Sequence, residues 1–199
     1  MTHQEAPSKK LQDVIIVSGL PRSGTSMMMK MLEAGGIPVL TDHVRVPNTD
    51  NPKGYYEFER VKKLPQGDTA WLDDASGKAV KIISQLVMHL PNTHTFRVIM
   101  MRRDINEILA SQTKMLEHRG EKTETLSNGQ MAQLFGKHLQ KVYAWMDGQS
   151  NLTYIDVDYN QSLHDPLPVS ENVNEFLDYS LDVEQMAAVV DPSLYRNRR

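Results

Sequence analysis

The chain has 199 residues and no cysteine, with 22 basic against 25 acidic side chains and a formal net charge of -3. Hydrophobic residues make up 40% and charged residues 24%, which is typical of a globular domain with a sizeable core. The lack of cysteine excludes disulfides, thiolate nucleophiles, cysteine-based zinc sites and iron–sulfur clusters. Because phosphate neutralisation needs a surplus of basic side chains, we expect no nucleic-acid partner.

Residues 1–10 are polar and lack the apolar segment of a signal peptide, and no apolar run approaches the length that spans a bilayer. We therefore expect a disordered N-terminus over 1–10, a single domain over 11–199, no membrane partner and a cytoplasmic location. The sequence leaves a homodimer open.

The first predicted elements are a strand, a loop and a helix. Residues 14–17 form a short β-branched apolar run, which predicts a buried strand. A loop of Gly, Pro and Ser follows at once, and a helical pattern over 25–34 stops at Gly35. Residues 37–40 predict a short second strand. Residues 41–54 are rich in Pro, Asn and Gly and predict a functional loop.

The rest of the chain alternates predicted strands with predicted helices. We predict strands at 79–83, 96–101 and 152–157. We predict helices at 85–90, 104–118, 131–146, 169–179 and 183–190. Apolar strands without alternation are typical of central parallel strands, so the pattern predicts an α/β fold with a mostly parallel sheet flanked by helices.

The loop after the first strand, residues 19–26 (GLPRSGTS), has the glycine spacing of a Walker A loop, but Thr25 stands where that loop has its Lys. Glycines let successive N–H groups curl around an anion, and the following helix N-terminus adds partial positive charge. We therefore predict a phosphate or sulfate site in a P-loop NTPase-like three-layer sandwich. Arg22 replaces the missing cation in the middle of the loop, which favours a ligand other than ATP.

Three motifs in chain order resemble sulfotransferases that use 3'-phosphoadenosine 5'-phosphosulfate (PAPS). Residues 20–26 (LPRSGTS) match the family loop P-[KR]-S-G-T-[TS], Arg103 and Ser111 match its Arg and Ser eight positions apart, and Lys81 matches its strand-end Lys. The resemblance implies that Arg103 and Ser111 hold the 3'-phosphate. For Arg22 and Lys81 we predict stabilisation of the transferring sulfuryl group and the bridging oxygen. The resemblance also implies a donor-binding loop made of Pro21, Arg22, Ser23, Gly24, Thr25 and Ser26.

The family's catalytic His after that Lys is absent, because Ile83 occupies its position. A hydroxyl acceptor therefore needs another group to take its proton. Residues 51–57 (NPKGYYE) resemble the segment in which several bacterial and Golgi-type sulfotransferases present a catalytic Glu, so we favour Glu57. His43 is the alternative and Glu59 the third choice. The competing interpretation of Glu57 is a first-turn helix carboxylate.

The remaining titratable residues do not point to a metal. We expect surface or helix-end positions for His89, His94, His118, His138 and His164. We interpret Asp156 and Asp158, after a late strand, as solvated strand-end carboxylates. The family's C-terminal Gly-rich nucleotide segment is absent, and Arg196 and Arg198 are candidates to replace its contacts.

The predicted activity is sulfuryl transfer from PAPS to a hydroxyl or amine acceptor, a small molecule or a glycan, releasing adenosine 3',5'-bisphosphate (PAP) without a metal. A kinase would need a metal-binding carboxylate at a strand end, whereas residues 96–101 run into Arg102 and Arg103. The alternatives are a divergent P-loop kinase of a nucleotide or small molecule and a non-catalytic nucleotide-binding module.

Overall fold

The computed structural model describes residues 13–42, 56–118, 120 and 126–191. Its sheet has four parallel strands in the order β2-β1-β3-β4. The strands are β1 (Val14–Gly19), β2 (Ala79–Lys81), β3 (Phe96–Arg102) and β4 (Leu152–Asp158). The α-helices are α1 (Thr25–Ala34), α2 (Ser84–Val87), α3 (Ile105–His118), α4 (Asn128–Asp147), α5 (Tyr159–His164), α6 (Pro166–Leu177) and α7 (Val183–Ala188). Two 3-10 helices lie at Glu59–Gln66 and Ala70–Ala75.

The sheet is covered on both faces, so the molecule has three layers. Ile15 and Val17 of β1 pack with α1, α6 and α7, whereas Val14 and Ile16 pack with α2, α4 and the 3-10 helices. Every residue of β1 is buried, because the strand lies between β2 and β3 with helices on each side. This arrangement confirms the predicted α/β fold with a parallel central sheet and explains why β1 lacks apolar–polar alternation.

The structure differs from the prediction over residues 37–40. Instead of a strand, this segment forms only an isolated bridge between Val39 and Ala79. Pro38 has no N–H to donate to a ladder, so its carbonyl accepts one bond from Ala79 and the pairing does not extend. The prediction of a second strand there is therefore wrong.

Three short elements have no counterpart in the sequence prediction: α5 and the two 3-10 helices. Each has six to eight residues, too few for an apolar stripe to repeat. The first 3-10 helix also contains Pro65, which argues against a helix when only the pattern is available. The long helices, in contrast, begin and end close to their predicted bounds.

All four strands point the same way, so their carboxyl ends share one edge of the sheet. The register pairs Val17 with Lys81 and Gly19 with Met101. The β1–α1 loop, the end of β2 and the end of β3 consequently meet at this edge, where open α/β sheets bind their ligands. In the described ranges, no helix is long and apolar enough to cross a membrane.

Candidate active site

The end of β1 and the β1–α1 loop each have one backbone position that requires glycine. Gly24 precedes α1 with φ 103°, and a Cβ there would lie 2.4 Å from Tyr159 Cδ2. At Gly19, with φ 148°, a Cβ would lie 2.8 Å from the Met101 carbonyl oxygen. Both glycines therefore permit a left-handed backbone and a close approach that other residues would prevent.

Arg22 is also left-handed, with φ 71°, although it carries a side chain. This conformation costs a non-glycine residue about 1 to 2 kcal/mol. Two contacts hold it: Arg22 Nε donates to Ser111 Oγ at 3.0 Å, and Arg103 Nη1 donates to the Arg22 carbonyl oxygen at 3.0 Å. Backbone strain maintained in this way is typical of functional sites. The structure thus brings together Arg22, Arg103 and Ser111 from the loop, the end of β3 and α3.

Arg103 is itself held by groups that the sequence analysis missed. Its Nε donates to Glu107 Oε2 at 3.0 Å, and the two side chains are only 6% and 10% exposed. Asn160 Nδ2 donates to the other Glu107 oxygen at 3.3 Å, and the Arg103 guanidinium lies 4.4 Å from the centre of the Tyr159 ring. The spacing of four residues could have identified Glu107. Tyr159 and Asn160 reach the site only because α5 follows β4.

Lys81 and Glu57 form a second group beside the loop. Lys81 Nζ lies 3.7 Å from Glu57 Oε1 and 3.4 Å from Ser26 Oγ in the first turn of α1. The Lys81 and Glu57 side chains are 10% and 25% exposed, so both are partly shielded from water. The Thr41 hydroxyl donates to the Glu57 carbonyl oxygen at 2.9 Å and fixes that residue's backbone.

The other proposed bases lie elsewhere. Glu57 precedes the 3-10 helix that begins at Glu59, so it is not a first-turn helix carboxylate. Glu59 instead accepts a bond from Lys62 Nζ at 2.7 Å on the exposed surface. His43, Arg196 and Arg198 lie outside the described residues.

Four buried polar atoms of the described residues have no partner, and they lie in β1, its loop, α3 and α5. In the part of the chain that the structure describes, four such side-chain oxygens have no hydrogen-bond partner: Ser18 Oγ, Ser23 Oγ, Gln112 Oε1 and Asn160 Oδ1. Ser18 and Ser23 lie in β1 and its loop, Gln112 follows Ser111, and Asn160 follows Tyr159. Unsatisfied buried groups are uncommon in folded proteins. The two in β1 and its loop, Ser18 Oγ and Ser23 Oγ, fit a site for a polar ligand.

The other residues of the β1–α1 loop are also positioned for a ligand at the start of α1. Pro21 lies in the turn after β1, Ser23 is 1% exposed, and Thr25 is the first residue of α1 and 7% exposed. The backbone N–H groups in the first turn of α1 and the Arg22 side chain both supply positive potential to the loop. This donor set fits an anionic group such as a phosphate or a sulfate.

The strand-end carboxylates have protein partners. Asp156 accepts bonds from the Tyr143 hydroxyl at 2.5 Å and from Arg102 Nη1 at 3.2 Å. Asp158 accepts from the Gln161 amide at 2.8 Å and caps α5. Among the described residues, no group of three His, Asp or Glu side chains has a metal-binding arrangement.

The comparisons identify the family. A sulfotransferase domain family matches residues 12–199, almost the whole chain. The protein belongs to the sulfotransferase domain family. This membership supports sulfotransferase activity, so the protein is classed as a transferase. A comparison with curated protein sequences finds no significant match.

Solved sulfotransferase structures share the fold. Sulfotransferase STF1 from Mycobacterium tuberculosis superposes with a TM-score of 0.60 at 17% identity, over 91% of this chain and 72% of that one. The sulfotransferase domain of the Synechococcus PCC 7002 olefin synthase gives 0.55 at 13%, over 100% and 92%. The sulfotransferase domain from the curacin biosynthetic pathway gives 0.54 at 14%, over 96% and 93%. At these identities the likeness shows the fold alone.

Proposed function

We propose that this sulfotransferase moves a sulfuryl group from PAPS to a hydroxyl or amine acceptor, releases PAP and needs no metal. One observation carries the proposal: Lys81 Nζ lies 3.4 Å from Ser26 Oγ in the first turn of α1 and 3.7 Å from Glu57 Oε1, at the edge of the sheet that also carries the Arg22 loop. A sulfuryl group carries a single negative charge, so amides and two cations are enough to stabilise its transfer.

The donor binds along the β1–α1 loop. The loop amides and the hydroxyls from Ser23 to Ser26 hold its 5'-phosphosulfate end. Ser111 and Arg103 hold the 3'-phosphate side, where Arg103 also supports the loop through its bond to the Arg22 carbonyl. The Ser111–Arg22 contact of 3.0 Å links the two ends of the donor site.

In the transfer step, Glu57 acts as the general base. Its carboxylate takes the acceptor's proton while the new bond between acceptor oxygen and sulfur forms and the bond from sulfur to the donor phosphate oxygen breaks. Lys81 and Arg22 stabilise the charge that develops on the sulfuryl and bridging oxygens. His43 remains the alternative base.

The acceptor is a small molecule or a glycan. We further propose a single domain over 11–199, a cytoplasmic location, and neither a nucleic-acid nor a membrane partner; residues 1–10 lie outside the described residues. A homodimer is compatible with the proposal.

The experiment is transfer of ³⁵S-labelled sulfate from PAPS to a panel of phenols, alcohols, amines and sugars in the presence of EDTA. We expect labelled product from the wild-type protein and a loss of about 10²- to 10⁴-fold in kcat for Glu57→Gln. Glu59→Gln is the matched control, because Glu59 pairs with Lys62 on the exposed surface, and it should retain kcat. Unchanged kcat in Glu57→Gln would assign the base to His43, and PAP binding without transfer would support the non-catalytic module.

A further inference from the structure

The face of α4 that packs on the sheet continues past the sheet's carboxyl edge. Val142 and Met146 of α4 are buried against the sheet. The Tyr143 hydroxyl donates to Asp156, two residues before the end of β4. Because a short turn joins α4 to β4, the two elements run antiparallel. The N-terminal half of α4 therefore extends beyond the strand ends, over the edge that carries the donor site.

His138 lies at the middle of α4, where this overhang begins, five residues before Tyr143 and about 7.5 Å further along the helix axis. It shares the helical face of Val142, four residues later. Its Nε2 lies 2.9 Å from the Ser84 hydroxyl, which is fully buried at the start of α2. Since Ser84 follows Lys81 by three positions, this contact fixes the imidazole beside the turn that leaves the site.

The side chain of His138 is half-buried, so the surface or helix-end position expected from the sequence is wrong for this residue. Burial lowers the pKa of His138, and the nearby Lys141 ammonium lowers it further, so the neutral imidazole predominates at neutral pH. One ring nitrogen contacts Ser84. The other has no hydrogen-bond partner among the described residues and remains available to a ligand.

The same helical face is apolar further out. Met131, Leu134 and Phe135 precede His138 by seven, four and three residues, the spacings that place side chains on one face of a helix. Leu134 is 50% exposed, whereas Met131 and Phe135 are half-buried, and α3 also packs against α4. A partly exposed apolar wall that continues a buried helix face, next to a donor site, is suited to the body of an apolar ligand.

We propose that this face of α4 binds the acceptor, that the acceptor is a hydroxyl compound with an apolar body, and that His138, held by Ser84, hydrogen-bonds its polar end. The proposal rests on the sulfuryl transfer proposed above and adds the class of acceptor. His138 is a binding residue in this account, and Glu57 keeps the role of base.

The test is steady-state kinetics with PAPS and two probe acceptors, 4-nitrophenol and N-acetylglucosamine, together with calorimetric titration of PAP. We expect 4-nitrophenol to be the better acceptor. His138→Ala should raise its KM by about 3- to 10-fold, the loss of one hydrogen bond, with PAP affinity unchanged. Ser84→Ala should also raise the KM for 4-nitrophenol, because it releases the His138 ring. Leu134→Asp should raise this KM by placing a charge on the apolar face of α4.

His89→Ala is the matched control, because His89 is exposed just past the C-terminal end of α2. The KM of this variant for 4-nitrophenol should equal that of the wild type. An unchanged KM in His138→Ala would overturn the inference, as would a preference for N-acetylglucosamine. If the wild type binds PAP but transfers neither to the probes nor to any member of the acceptor panel above, the result contradicts the proposed function, and the inference falls with it. Transfer to members of that panel but not to 4-nitrophenol overturns the inference alone.

Discussion

Replacing Glu107 by Ala tests how the donor site is held together. Glu107 and Arg103 are 10% and 6% exposed and 3.0 Å apart, and the other Glu107 oxygen accepts a bond from Asn160. Removing one partner of a buried ion pair leaves an uncompensated charge and costs about 3 to 5 kcal/mol. In a domain of this size, that loss lowers Tm by about 6 to 20 °C.

Thermal and urea unfolding of Glu107→Ala, followed by circular dichroism, measure this loss. The matched control is Glu59→Ala, which breaks an ion pair with Lys62 between side chains that are 48% and 65% exposed. Exposed pairs contribute about 0 to 1 kcal/mol, so the control should remain near wild-type stability. If Glu107→Ala loses no more than Glu59→Ala, the buried pair does not support the loop as argued.

Three further variants test the loop and the charges around it. Gly24→Ala should destabilise the fold and abolish PAP binding, because its Cβ would lie 2.4 Å from Tyr159 Cδ2; wild-type Tm and PAP affinity would contradict the loop geometry. Arg22→Gly should lower kcat because a cation is lost beside the transferring sulfuryl group, while relief of its positive φ leaves Tm equal or higher; a wild-type kcat would contradict this role. Lys81→Ala should lower kcat with PAP affinity nearly intact, and unchanged kcat would remove Lys81 from the transfer step.

The fold could be predicted where local pattern and tertiary structure agree. The continuous apolar runs of β1 and β3 occupy the middle of the sheet, and the helical spacing of 25–34 matches α1 at both ends. The prediction was wrong at residues 37–40, because the β-propensity of Ile37 and Val39 does not overcome the missing N–H of Pro38.

The candidate site also has a part that local sequence patterns predict and a part that depends on tertiary contacts. Its glycine spacing and the interval from Arg103 to Ser111 are local features, and the structure places both residues beside Arg22. The Tyr159 ring over Arg103 depends on where α5 begins after β4, and the Ser84–His138 contact joins residues 54 positions apart. Contacts of that kind leave no periodic signal in one sequence, which is why those residues could not be assigned in advance.

The central claim is that the β1–α1 loop binds a PAPS-type donor without a metal. Calorimetric titration of the whole protein with PAP in the presence of EDTA tests it most directly. We predict saturable binding of one PAP, unchanged by Mg²⁺ and about 10- to 150-fold weaker in Arg103→Ala, the loss expected for one charged hydrogen bond to the 3'-phosphate. No PAP binding, together with ATP binding that requires Mg²⁺, would contradict the account and favour the kinase alternative.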